Sequence, residues 1–326
     1  MRSSSLHERL FMLFGGATRI GPNTHPNTHH PNSHSVCTLG IMAACNENDD
    51  PPASTIEVFD SILFYDGYAE VVDEPVPEGV IRHKNSLYAK KLTTDQLQSI
   101  QNTLRMEVLL KAACDNYDRI GSVNLALVPK GNESYDIATV DRLEIGRFIT
   151  PFMNMNFLPD TVPYEYELNH LVPVLTDENL LAQYDMWLEL EVFGVPYAAN
   201  KEVAGCADRN DVFYGTVNLY SDKSSSKQEF VLLLPLAKGE KFNNYKEGAS
   251  DTIGETKKTI TFTLDSNVES GQFVLVTSNH GANSGGEEYI RRDHFVYLDG
   301  TLVLEYKPGR ESCEPFRQYN TQGNGI

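Results

Sequence analysis

From residue 55 onward, apolar and polar positions alternate along short runs broken by Gly, Pro, Asn and Asp. Alternation with a period of two marks half-buried strands, because successive side chains of a strand point to opposite faces. The runs fall at Ile56–Phe64, Ile81–Ala89, Met106–Ala113, Ser122–Pro129, Arg142–Thr150 and Trp187–Phe193. They continue at Val212–Tyr220, Glu229–Leu236, Lys258–Leu264, Phe273–Ser278, His294–Leu298 and Thr301–Lys307. Helical signals are confined to two capped turns, Thr93-x-x-Gln96 and Asp177 ahead of Asn179–Gln183. Many strands with almost no helix predict an all-β protein built from antiparallel sandwiches or jelly rolls.

The pattern also divides the chain. Its 326 residues suit about two domains. A polar stretch over Thr216–Lys227 reads as the interdomain linker or a long surface loop, which gives a first domain at 55–216 and a second at 217–326. The second ends on Gly323-Asn324-Gly325-Ile326 with no closing strand, so it reads as an incomplete sandwich. Residues 1–54 read as a leader. His25, His29, His30 and His34 lie in a low-complexity Pro-Asn-Thr-His near-repeat with nothing to fix the geometry of a metal site. The run Val36–Cys45 resembles the cleavage box of a bacterial lipoprotein. On that reading Cys45 carries lipid, Asn46–Ser54 is an acidic tether, and the protein is exported. The rival is a cytosolic protein with an unstructured leader.

Charge narrows the function classes. Lys plus Arg is 27 against 45 Asp plus Glu, a net charge of −18. A nucleic-acid binder needs basic surface, so that class is excluded. No stretch approaches the roughly 20 apolar residues of a membrane-spanning helix, which leaves the Cys45 lipid as the expected membrane contact. Cys37, Cys45, Cys114, Cys206 and Cys313 contain no C-x-x-C pair, so a structural zinc is not expected. His83, His170, His280 and His294 contain no His-x-His pair, which argues against a copper hydroxylase on a jelly roll. No Gly-rich phosphate loop is present. The expectation is therefore no cofactor and no metal.

Three acidic motifs carry the candidate chemistry. Cys114-Asp115-Asn116-Tyr117-Asp118-Arg119 precedes the strand pattern at Ile120. Glu189 and Glu191 lie two apart in Trp187–Phe193 and share one face of that strand, where acids are commonly just solvated. The Gly-rich stretch from Ser278 to His294 carries His280, Glu287 and Glu288.

Together these motifs resemble the peptide-N-glycosidase F family. Cys-Asp-x-aromatic-Asp-Arg at 114–119 is similar to its catalytic segment. Glu144-Ile-Gly-Arg-Phe-Ile-Thr-Pro-Phe152 is similar to a hallmark block almost letter for letter. Tyr214-Gly215-Thr216 is similar to the end of its first jelly roll, and Arg292-x-His294 gives a weaker match. The resemblance implies two jelly-roll sandwiches side by side, the second incomplete here, with the site in the cleft between them. It implies hydrolysis of the amide between an Asn side chain and the first N-acetylglucosamine of an N-linked glycan. It also implies a glycoprotein or glycopeptide partner and a monomer.

Roles carry over by position. Asp118 is the implied catalytic aspartate, with Arg119 beside it to orient the carboxylates through paired hydrogen bonds. Glu191 and Glu288 are the implied glutamates of the first and second domains. Tyr117, Phe193 and His280 are candidate substrate contacts, whereas Trp187 is expected in the core. An amide carbon is a poor electrophile, so a carboxylate acting as general base on water fits the task. Converging carboxylates repel, so at least one should titrate high and supply the acid. The family pairs the Cys before its aspartate with an earlier one, whereas Leu109–Ala113 here contain none, so Cys114 has no local partner. Other readings are a non-catalytic glycan-binding module on the same fold, an inactive fragment of the amidase, or a two-carboxylate glycosidase.

Overall fold

In a computed structural model of the chain, residues 6–15, 54–224, 232–242, 252–264, 270–279 and 290–322 are described. The first strands are β1 (Leu6–Gly15), β2 (Ser54–Tyr65), β3 (Val80–Lys84), β4 (Leu87–Lys91), β5 (Arg105–Ala112), β6 (Ile120–Pro129) and β7 (Asp141–Ile149). They are followed by β8 (Thr161–Glu167), β9 (Tyr184–Val192), β10 (Asp211–Ser221), β11 (Leu232–Phe242), β12 (Ser270–Ser278), β13 (His294–Leu298) and β14 (Thr301–Tyr306).

Antiparallel pairs nest inside one another over residues 54–221. β6 pairs with β7, β5 with β8, β4 with β9 and β2 with β10. Alternate pairs enter alternate sheets, ordered β2-β10-β5-β8 and β3-β4-β9-β6-β7. A hairpin folded back over itself in this way is jelly-roll wiring, and the all-β expectation holds. The core lies between the two sheets. Met106, Val108 and Leu110 of β5 face Leu188 and Leu190 of β9 and Val123 and Leu125 of β6, all fully buried or nearly so. Each such side chain stabilises the fold by about 1.5–3 kcal/mol.

Several expectations need correction. The run Ile81–Ala89 is two strands, β3 and β4, joined by a turn at Asn85 and Ser86. Asn85 is buried and makes the turn obligatory: it accepts from Val72 N–H and donates to the carbonyls of Asp66 and Glu70. β8 gave no signal because Pro163 interrupts it; an edge strand tolerates that loss of a donor. Lys258–Leu264 is not a strand. β10 runs through Thr216 to Ser221, past the boundary set at 216, because Val217, Leu219 and Ser221 keep alternating into the interior. The two capped turns form as expected: Thr93 and Gln96 make a reciprocal capping box, and Asp177 accepts from Leu180 N–H.

The second part contributes a sheet ordered β11-β1-β12 and the hairpin β13-β14. Leu6–Gly15, assigned above to a leader, thus forms a strand whose backbone pairs with β11 on one side and β12 on the other. Cys45 and the acidic tether lie outside the described residues. β7, the outer strand of its sheet, contacts β11 and β12. A 3₁₀ helix at Glu314–Tyr319 returns to the first jelly roll. There Phe316 stacks on Tyr164 at 5.7 Å, and the backbone N–H groups of Phe152 and Asn154 donate to Asn320 and Thr321 at 3.0 and 2.9 Å. The Glu144–Phe152 block therefore forms part of the seam between the two parts.

Candidate active site

The loop between β5 and β6 is fixed on several sides. Cys114 is bonded to Cys206, 92 residues away. The missing local partner of Cys114 is therefore a distant one, which the spacing of the cysteines did not indicate. Among the described residues the free cysteine is Cys313. The N–H groups of Ala113 and Cys114 donate to the carbonyls of Val212 and Asp211 at 3.2 Å each. Asp115 is buried and accepts from Tyr117 N–H at 3.0 Å and Val195 N–H at 2.7 Å. Asn116, also buried, donates to Glu202 at 2.8 Å. Thr150 closes the other end: it accepts from Arg119 N–H at 2.8 Å and donates to Tyr117 C=O at 3.1 Å.

Asp118 sits half-buried between these two anchored residues. Arg119 does make the expected paired hydrogen bonds, but to Asp115. Its Nε lies 2.5 Å from Oδ2 and its Nη2 3.1 Å from Oδ1. Burial pushes the Asp115 carboxyl up; Arg119 and the backbone donors pull against it, and burial prevails. Tyr117 lies against Phe152, with ring centroids 5.7 Å apart.

Glu191 lies in β9, half-buried, at the end of the five-stranded sheet where the Asp118 loop enters β6. Its register partner in β6 is Ser122. Phe193, two residues on, donates its N–H to Ile120 C=O at 3.2 Å, so strand and loop are joined beside Arg119. Trp187 is buried, as expected, but on the outer face of this sheet with Ala89, Ala126 and Val128.

That outer face carries an ordered set of charges. Ser122 is flanked by Glu191 and Arg147, Asn124 by Glu189 and Glu144, and Ala126 by Trp187 and Arg142. Glu189 is not a solvated acid. It is fully buried, accepts from Arg142 Nε at 2.6 Å, and takes the Tyr135 hydroxyl at 2.7 Å. Glu144 is buried against Arg147, with Oε1···Nε 2.5 Å and Oε2···Nη2 2.7 Å. Burial works against the Arg147 charge, but Glu144 and then Glu191 hold its guanidinium above the ordinary value. Neither pair was anticipated as a site. The signal was present in Glu144-x-x-Arg147 within the hallmark block, where both residues face one side across a bulge.

The structure thus brings Asp118, Arg119, Tyr117, Glu191 and Phe193 to one end of one jelly roll. His280, Glu287 and Glu288 lie outside the described residues. Arg292 and His294 are described: Arg292 precedes β13, and the His294 ring lies 5.4 Å from that of Tyr306.

Profiles of known families match both parts. "Peptide-N-glycosidase F, N terminal" covers residues 55–207, and "Peptide-N-glycosidase F, C terminal" covers 249–326. The chain belongs to the peptide-N-glycosidase F family. Similar solved structures include a peptide-N(4)-(N-acetyl-β-D-glucosaminyl) asparagine amidase at 15% identity and TM-score 0.40, covering 84% of this chain and 77% of that one. Recombinant peptide:N-glycanase F follows at 16% and 0.38, covering 84% and 76%. PNGase F, a glycosylasparaginase from Flavobacterium meningosepticum, gives 14% and 0.26, covering 53% of this chain and 43% of that one. No curated protein sequence matches the chain.

Proposed function

We propose that this peptide-N-glycosidase F family member hydrolyses the amide between an Asn side chain and the first N-acetylglucosamine of an N-linked glycan. The glycan leaves as a glycosylamine and the peptide keeps Asp. The observation that carries the reading is the clamped loop, which presents Asp118 at the sheet end that also holds Glu191.

Asp118 is the general base. It takes a proton from the attacking water, a role that contributes about 10²–10⁴-fold. Asp115 and Arg119 are positioning residues: their buried pair sets the backbone on both sides of Asp118. Glu191, and Glu288 from the second part, hold the sugar and peptide and orient that water. Tyr117, Phe193 and His280 line the substrate.

The Cys114–Cys206 disulfide supports an exported protein, because such bonds persist in oxidising compartments. In this reading the protein acts as a monomer on glycoproteins or glycopeptides, with Cys45 as its lipid anchor. The rival is a glycan-binding module on the same fold. The test is product analysis of a denatured N-glycopeptide incubated with the chain. The amidase gives intact glycan and Asp at the former attachment site. A glycosidase leaves a sugar on Asn, and a binding module leaves the substrate unchanged.

A further inference from the structure

The segment Phe193-Gly194-Val195 ties two loops together. Val195 N–H donates to Asp115 at 2.7 Å, and Phe193 N–H to Ile120 C=O at 3.2 Å. Gly194 C=O accepts from Gly67 N–H at 2.9 Å. The turn Asp66–Ala69 is therefore fastened to the same segment as the Asp118 loop.

That turn is itself rigid. Asp66 N–H donates to Asn210 C=O at 2.8 Å, Tyr68 N–H to Asp66 Oδ1 at 3.0 Å, and Asn85 Nδ2 to Asp66 C=O at 2.9 Å. A Cβ on Gly67 would stand 2.5 Å from Phe193 Cε2, so turn and ring are in direct contact.

The turn presents an aromatic surface. Tyr68 is 73% exposed, and its ring meets Phe193 edge-on with centroids 5.1 Å apart. Tyr197 is 52% exposed, and the neighbouring Asp66 carboxylate pushes its hydroxyl pKa up. Large exposed rings held on a rigid backbone are the informative exception on a surface. A pyranose ring is the complementary shape: it offers a C–H face to an aromatic ring and rim hydroxyls to the phenol oxygens. Sites of this kind combine apolar walls with a few placed polar groups. An acidic peptide would meet the charge of −18 instead.

We propose that Tyr68 and Tyr197 form a stacking platform for a pyranose ring of the glycan, next to the sugar held at Asp118. The inference rests on the amidase reading for its location, but it is tested by binding. The probe is the free oligosaccharide core of an N-glycan, titrated into the full chain and followed by NMR. Turnover of the matching glycopeptide is measured in parallel. Tyr68→Ala should raise Kd for the oligosaccharide and KM for the glycopeptide by about tenfold, equivalent to about 1.4 kcal/mol. The kcat and the melting temperature should not change, and Tyr68→Phe should keep the parent values.

A Tyr68→Ala chain that binds as the parent does, or a parent that binds no oligosaccharide, overturns the platform whatever the turnover. A parent that binds but hydrolyses nothing, with binding lost in Tyr68→Ala, sustains the platform and refutes the amidase reading instead.

Discussion

Arg119 grips Asp115, four residues before it, with Nε and Nη2 on the two carboxylate oxygens at 2.5 and 3.1 Å. Asp118 lies inside that clasp. The residue with the implied chemistry is thus positioned by a carboxylate that does none. Replacing Asp115 by Asn leaves the guanidinium facing a neutral amide in a buried site. Breaking a buried pair from one side costs about 3–5 kcal/mol. Urea unfolding of Asp115→Asn should show a lower midpoint with an unchanged slope, and hydrolysis should fall even though Asp118 is intact.

The Cys114–Cys206 bond closes a long loop around the first jelly roll. Its removal frees the unfolded chain and costs about 2–5 kcal/mol. A Cys114→Ser/Cys206→Ser chain should melt lower than the oxidised parent. Melting with and without reductant checks this: the parent should drop to the level of the double variant, and the double variant should not respond.

Gly121 is the register partner of Val192 and follows the loop into β6. A Cβ there would stand 2.2 Å from Phe148 Cε2. Phe148 is buried and stacked on Tyr164 at 4.5 Å, so it has little room to move. Gly121→Ala should destabilise the fold by about 1–3 kcal/mol, read as a fall in the denaturant midpoint.

Burial holds the His83 imidazole below its ordinary pKa, against the pull of Glu189, and its Nε2 has no partner among the described residues. The unfolded chain therefore binds the proton more readily than the folded one. Stability from this group is present above the unfolded pKa of about 6.5 and is lost as pH falls towards the lower folded value. His83→Gln should flatten that part of the stability–pH curve. Urea midpoints at neutral and mildly acidic pH, compared between parent and variant, check the difference.

Strands with one buried face were legible in the sequence because period-two alternation is a direct image of the pleat. β2, β5 and β10 show it, and β6, β7 and β9 keep the alternation in sequence although much of their second face is buried too. β8 was not, because Pro163 carries the mark of a breaker and only the edge position excuses it. The β3–β4 turn was hidden because its cause is the long-range bonding of the Asn85 side chain. The candidate residues were legible as residue types and family resemblance, and Asp118, Arg119 and Glu191 fall at the same end of one sheet. The partner of Arg119 was not legible, since Asp115 and Asp118 are chemically equivalent on paper and only the fold buries one of them. The same holds for Glu189, which shares a face with Glu191 but lies deeper under Tyr135 and Arg142.

The central claim is that Asp118 activates the water that cleaves the glycan–Asn amide. Its most direct test is hydrolysis of an N-glycopeptide in heavy-oxygen water by the parent chain and by Asp118→Asn, read by mass spectrometry of the peptide. The account predicts a labelled Asp at the glycosylation site with the parent, and a rate about 10²–10⁴-fold lower with the variant while oligosaccharide binding persists. Equal labelling by both chains, or a parent that binds glycan and never converts Asn, would contradict it.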